Sequence, residues 1–448
     1  MKSSAISLYE IITPWNNYPQ AEDVIPTKRY IKTYRKLPSG FIHAGNMFFY
    51  KTEKKTKIRE IAKEAIVYTH FYKIYKLKKA IKEYNGLRKN SVKKDRVIYI
   101  PFSLPPILPD MRKLSKTQIK YIRALYYSGS TAGSEKIWQT VNRFKKVGIN
   151  AIVFDAKDVT GIVNYNSNVP SVRKFNTHKK RTIDDVDQLI RVLKNRGIYV
   201  ITRISVFRDS LLCKKAPDLA IRSKRTGGIW NSGSGELWCD PTNKIVQDYN
   251  IDIAVELAEK GVDEIQFDYI RFPTVGDFND ADLKYHFGKA TKEVSIAHFL
   301  KRAYSVISKR NTLLSIDIFG VVAWGKSVDI KKTGQRIELL SKYCDIISPM
   351  LYPSHFNDDF DKIQNPGDNP YYFIYQGCKK VAELSDGRVV RPWLQAFKWR
   401  TPTYGQDYIR KEIIASRDSG ALGYMFWNAK NKYETVYMAM SRMNKEDL

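Results

Sequence analysis

The chain has 448 residues, 43% hydrophobic and 13% aromatic, which is enough for a large core and excludes a mainly disordered protein. That length allows two or three domains, or one barrel-sized domain with an added module. The formal charge is +30, from 76 Lys and Arg against 46 Asp and Glu, and no run approaches the ~18 apolar residues of a membrane span.

The opening residues, MKSSAISLYEIITPWNN, make a poor signal peptide: Lys2 is a thin basic region and Glu10 interrupts the apolar stretch. Either the protein stays inside or a leader is missing from the chain. Residues 1–120 hold 26 Lys and Arg against 9 Asp and Glu, so most of the excess charge lies there. A basic module fits an anionic partner such as nucleic acid, lipid or an acidic wall polymer. A set of solvated lysine faces fits equally well. The basic residues are scattered rather than gathered in a strip, which disfavours nucleic acid.

Residues 1–45 read as an irregular arm. In 46–102, MFFY is a short strand. Two helices follow, KIREIAKEAI and KLKKAIKEYNGL, with apolar residues at helical spacing, and RVIYIP closes as a strand. Residues 103–119 read as a linker, because PFSLPPILPD at 101–110 contains four prolines. The strand–helix–helix–strand order, with "IREIAKE", "LKKAIKEYNGL" and "DRVIYIP", resembles the LysM module. That resemblance implies binding of N-acetylglucosamine-containing glycans. A small helical spacer is the alternative.

From residue 120 the pattern changes. Eight β-rich runs, at 123–129, 150–158, 198–207, 263–273, 313–322, 345–354, 391–399 and 421–429, alternate with helical stretches such as 134–148, 182–197 and 243–261. Glycine closes each of those helical stretches. The expected fold is α/β, a (β/α)8 TIM barrel over 120–435, with a small N-terminal α+β domain and a C-terminal tail from 436. A doubly wound sheet is the rival. It leads one to expect a glycine-rich phosphate loop after the first strand, where this chain has SGSTAGS.

Barrel chemistry sits at the C-terminal ends of the strands. Those ends supply Asp155, Lys157 and Asp158, then Arg203, then Gln266, Asp268 and Arg271, then Asp317. The last three supply Tyr352, Ser354 and His355, then Trp393 and Gln395, then Trp427 and Asn428. Alternation can point Asp155, Asp268 and Asp317 inward together. Barrel-layer ion pairs with Lys157, Arg203 and Arg271 are one reading. A sugar site is the other: glycosidic cleavage needs one carboxyl as acid and a second as nucleophile or base, with aromatic faces for the sugar rings. Neither a metal nor a cofactor is expected. The four cysteines, Cys213, Cys239, Cys344 and Cys378, form no C-x-x-C pair and are expected as buried thiols, with a Cys213–Cys239 bond left open.

"NAIVFDAKDVTGIVNYNSNVP", "GVDEIQFDYIRFP", "SIDIFG", "ISPMLYPSHF", "RPWLQAF" and "FWNAKNKY", running from about Ala124 to Tyr433, closely resemble a bacterial glycosyl hydrolase domain long catalogued as a domain of unknown function. The resemblance to barrel glycosidases implies Asp268 as nucleophile, Asp317 as acid/base and Asp155 as a substrate or helper carboxylate. Arg271, three residues after Asp268, is expected to stabilise its charge. Asp317 is flanked by Ile316, Ile318 and Phe319 and is expected to hold a proton. The family usually has aspartate where this chain has Ala396. The two modules together imply a cell-envelope or periplasmic enzyme acting on peptidoglycan or a related glycan. The alternative is a wall-glycan-binding protein with a degenerate barrel.

Overall fold

The computed structural model describes residues 39–44, 47–66, 74–101, 121–134, 136–282, 291–385 and 387–443. The chain divides into an N-terminal unit, described over 39–101, and a larger unit described from residue 121. Most of the expected arm and the proline-rich linker lie outside the described residues.

In the N-terminal unit, β1 (Phe41–Ala44), β2 (Met47–Lys51) and β5 (Val97–Ile100) form an antiparallel sheet with β2 in the centre. A separate two-stranded sheet pairs β3 (Thr56–Lys57) with β4 (Ser91–Val92). Helices Ile58–Ala65 and Ile74–Tyr84 bury Ile58, Ile61, Leu77 and Ile81 against Phe48, Ile98 and Ile100. Their apolar residues recur every three or four positions, which gives each helix one buried face. Residues 41–44 were expected in the irregular arm and instead form a strand. Phe41 stacks on Phe48 at 5.1 Å and meets Tyr50 at 4.7 Å, and this aromatic pairing holds the extra strand.

The larger unit is a closed barrel of eight parallel staves. They are β6 (Ile122–Tyr127), β7 (Ala151–Lys157), β8 (Tyr199–Ser205), β10 (Glu264–Asp268), β12 (Leu313–Phe319), β13 (Ile346–Met350), a split seventh stave, and β16 (Gly423–Trp427). The seventh is β14 (Val389–Val390) followed by β15 (Trp393–Gln395). Pairing of β16 with β6 and of β12 with β13 closes the ring. Short strands β9 (Arg222–Ser223) and β11 (Ala281–Asp282) pair antiparallel in the loops after the third and fourth staves. The doubly wound alternative is therefore excluded. Parallel staves covered by helices are buried on both faces, which is why their sequences read as near-continuous apolar runs.

The barrel interior is filled by side chains. Ile122, Ala124, Ala151, Val153, Ile201 and Met425 form an apolar plug beneath Tyr126, Tyr352 and Trp393. The expected tail is part of the fold. Helix Glu434–Met440 buries Val436, Ala439 and Met440, so the unit runs at least to Met443.

Candidate active site

Period-two alternation points Asp155, Arg203, Asp268 and Asp317, on β7, β8, β10 and β12, inward near the C-terminal end of the barrel. Arg203 stands opposite Asp155 in the β7–β8 register and opposite Gln266 in the β8–β10 register. Its guanidinium is the hub. Nη1 donates to Asp155 Oδ1 at 2.5 Å, and Nη2 and Nε donate to Asp268 Oδ2 at 2.5 and 3.1 Å. Nε also lies 3.9 Å from Asp317 Oδ2.

Each carboxylate has a further partner. Tyr126 Oη donates to Asp155 Oδ2 at 2.6 Å, and Trp393 Nε1 donates to Asp317 Oδ1 at 2.7 Å. The backbone N–H of Tyr269 donates to Asp268 Oδ1 at 2.6 Å. Tyr269 reaches that position with φ +53°, a left-handed conformation costly for a residue with a β-carbon. Asp317 is 1% exposed, and its Oδ2 has no hydrogen-bond partner. Burial, reinforced by the Asp268 charge, pushes its carboxyl well above the usual range. Arg203 and Trp393 pull against that shift without cancelling it. Burial also raises Asp155, against the opposing pull of Arg203 and Tyr126. Asp268 takes three donors on its two oxygens. Its Oδ2 and that of Asp317 lie 3.1 and 3.9 Å from one Nε. The two oxygens are therefore within about 7 Å of each other, a limit that admits both the separations of retaining glycosidases (about 5–5.5 Å) and the shortest of inverting ones (about 6.5 Å).

An aromatic wall rises from this floor. Trp427 lies 6.2 Å from Tyr126 and 5.9 Å from Tyr352, and Phe397 meets Trp427 edge-on at 5.4 Å. His355 meets Phe397 at 5.9 Å and Trp399 at 4.9 Å.

Other residues chosen from the sequence stand elsewhere. Lys157 is wholly buried in the barrel wall. It pairs with Asp209 Oδ2 at 2.7 Å and donates to Ser205 O at 2.6 Å and Asn250 Oδ1 at 3.0 Å. A register shift between Asp155 and Lys157 breaks the alternation that would have put both on one face. Asp209 reaches Lys157 past Gly161 (φ +95°), where a β-carbon would fall 1.8 Å from the Asp209 Oδ1 atom. Asp158 closes its own loop by accepting from Thr160 Oγ1 at 2.6 Å and Thr160 N at 2.9 Å. Asn428 likewise holds a turn, donating to Ala396 O at 2.5 Å and accepting from Lys430 N at 2.8 Å. Gln266 points into the barrel towards Ser348 Oγ at 3.4 Å. Gln395 accepts from Ser354 Oγ at 2.8 Å and so ties the sixth-stave loop to the seventh stave.

Arg271 is not the cation beside Asp268. It lies among the rings of Phe319 (4.2 Å), Trp238 (4.7 Å) and Tyr269 (5.3 Å), and donates to Phe272 O at 3.1 Å. Burial lowers its pKa to about 10. Closeness along the chain does not select the partner, because the cation that reaches Asp268 is Arg203, 65 residues away on the neighbouring stave. Cys213 and Cys239 are free and buried, with their sulfurs 3.5 Å apart. Among the described residues no cluster of His, Cys, Asp and Glu fits a metal ion.

Sequence reading missed four contributors: Tyr126, Phe397, Trp399 and Glu412. Tyr126 was legible as the inward residue at the end of the first stave. Glu412, on helix Gln406–Asp418, is buried and accepts from Gln395 N at 2.9 Å, and burial raises its pKa well above the usual range. Nothing in its sequence context separates it from a surface glutamate.

No curated protein matches the chain. A hypothetical protein from Ruminiclostridium thermocellum is 38% identical over 43% of this chain and 96% of its own, with a TM-score of 0.39. The glycoside hydrolase domain of PgaB (BpsB) from Bordetella bronchiseptica is 16% identical, over 72% of this chain and 99% of its own, with a TM-score of 0.53. Alpha-L-fucosidase isoenzyme 2 from Paenibacillus thiaminolyticus is 14% identical, over 72% of this chain and 49% of its own, with a TM-score of 0.50. At such identities the last two likenesses establish the barrel fold alone. Residues 124–433 match the family described as "Putative glycosyl hydrolase domain". That match begins within the first stave and ends beyond the eighth, so it takes in the whole closed barrel, and the chain belongs to this glycosyl hydrolase domain family.

Proposed function

We propose that the barrel hydrolyses a glycosidic bond in an N-acetylglucosamine-containing glycan of the cell envelope, with peptidoglycan as the substrate. The observation that carries this reading is the single guanidinium shared by three buried carboxyl groups, one of which, Asp317, is raised by burial and by the Asp268 charge. A structural ion pair matches charges; this layer leaves an acid and a base side by side, which is what glycoside cleavage requires.

In the proposed reaction the Asp268 carboxylate attacks the anomeric carbon while Asp317 Oδ2 gives its proton to the departing glycosidic oxygen. The carbon–oxygen bond breaks and a glycosyl ester forms on Asp268. Water then attacks that carbon, Asp317 takes the water proton back, and Asp268 leaves as carboxylate. Arg203 keeps Asp268 charged and in place, Trp393 orients Asp317, and the wall of Trp427 and Tyr352 takes the apolar face of the sugar. Peptidoglycan and an envelope location are supported by the LysM-like sequence and the basic charge of the N-terminal part, which suits an anionic wall.

One observation favours a second reading, glycan binding without cleavage. Ala396 is buried beside the eighth stave, its N–H donating to Trp427 O at 3.1 Å, at a position where the family resemblance leads one to expect an aspartate. The acid pair around Arg203 is complete without that residue, which favours activity. Digestion of purified wall glycan by the wild type and by Asp268→Asn decides between the two. Release of reducing ends by the wild type alone supports hydrolysis. Binding by both with release by neither supports the second reading.

A further inference from the structure

Trp399 is half exposed (51%) on the loop after the seventh stave. A lone surface tryptophan is ordinary. This one ends an unbroken run of rings that starts on the catalytic floor: Trp393 on Asp317, then Tyr126, Trp427, Phe397, His355 and Trp399, with successive ring centroids 4.9 to 6.4 Å apart.

The outer end of that run is also held rigidly. Arg400, the next residue, takes the left-handed conformation at φ +49°. Its guanidinium is pinned by Asp358 at 2.7 Å and Ser354 O at 3.4 Å. Gly367 lies so close that a β-carbon there would fall 2.1 Å from Arg400 O. Ser354 is tied in turn to Gln395. These contacts fix the backbone that carries Trp399 on from His355 and Phe397, and such strain gathers at functional sites.

Resting on the glycoside hydrolase reading above, we propose that Trp399 is a stacking platform for a sugar of the same glycan lying beyond the sugars at the cleavage point. The barrel then takes its substrate as a chain interior rather than by a terminal residue. The occupant is a pyranose, because the platform is continuous with the aromatic wall that faces the acids. Pyranose rings offer a flat C–H face to an indole, and the neighbouring, partly exposed Arg400 guanidinium offers a polar partner to its rim.

The test compares wild type, Trp399→Ala and Trp399→Phe on long peptide-free peptidoglycan strands and on an aryl glycoside of the repeating disaccharide. In Trp399→Ala the loss of kcat/KM on long strands should exceed its loss on the aryl glycoside by about tenfold, carried in KM, and Trp399→Phe should restore most of it. Wild-type products should be dominated by internal cuts. Equal losses on the two substrates, or disaccharides released only from chain ends, overturn the proposal. If the wild type cuts neither substrate, the hydrolase reading fails and strand binding takes over as the readout. A tenfold weaker affinity in Trp399→Ala then supports the platform, and an unchanged affinity overturns it.

Discussion

The barrel carries two buried arginine–carboxylate centres, one at each end, and they are built to opposite rules. At the N-terminal end Arg391 Nη1 meets both oxygens of Glu264 at 2.8 and 3.1 Å, and Tyr199 Oη adds a hydrogen bond at 3.0 Å. One cation faces one anion, both sealed from solvent. At the C-terminal end one cation faces three carboxyl groups, and one of these has an oxygen without a partner. The lower centre is matched in charge, although Arg391 Nη2 is left without a hydrogen-bond partner. The upper one is unmatched, and burial with the Asp268 charge raises its Asp317 carboxyl. On the function proposed here, stoichiometry, more than burial or residue type, separates the structural ion pair from the reactive one.

The two centres should therefore fail differently. The largest effect is expected from Asp268→Asn: hydrolysis falls on the order of 10⁴-fold or more, while the unfolding free energy in denaturant moves less than it does for a change at the lower centre. A large loss of stability would make Asp268 structural. Asp317→Asn should slow natural linkages about 10²–10⁴-fold, yet affect activated aryl glycosides far less, because those leave without a proton. Equal loss on both substrates would remove the acid role.

Glu264→Gln leaves Arg391 buried without its anion and should cost about 3–5 kcal/mol of stability, read from urea unfolding, while the activity of the folded fraction stays. Loss of activity without loss of stability would erase the contrast between the two ends.

The contrast also has a pH signature. The Asp317 carboxyl lies above its unfolded value, so its folded form binds the proton more tightly. Its contribution to stability is present at low pH and is lost as pH rises from the ordinary carboxylate value of 3.8 through the raised one. Activity that needs the protonated acid should hold over that window and fall only as pH rises through the raised value. Asp317→Asn should flatten the stability profile over that range, and an unchanged profile would place the titration on another group. The smallest effect is expected from Glu412→Gln, which keeps the acceptor for Gln395 N and replaces a carboxyl already disposed to hold its proton. Its stability near neutral pH should stay within about 1 kcal/mol of wild type, and a larger loss would mean that the ionised form is used.

Much of this was legible in advance, and what was missed has a common cause. The staves announced themselves as β-branched and aromatic runs punctuated by helix-stopping glycines, and alternation placed Asp155, Asp268 and Asp317 in one layer. Alternation failed where the strand does, at the bulge that turns Lys157 outward to Asp209. It also could not rank cations. Arg203 and Arg271 look equivalent in sequence, but only the register between β8 and β10 brings Arg203 to Asp268. Glu412 and the strand at Phe41–Ala44 depend on tertiary contacts that leave no local pattern.

Asp155, Asp268 and Asp317 bring more potential negative charge to the floor of the barrel than Arg203 can offset, and that surplus is present before any substrate arrives. Breaking a glycosidic bond draws positive charge onto the anomeric carbon and ring oxygen. A neutral sugar in its ground state gains little from such a field, whereas the oxocarbenium-like arrangement gains much, because the carboxylates are already oriented and dry. The same field should make a protonated iminosugar bind more tightly than the neutral sugar it mimics, with that preference shrinking in Asp268→Asn.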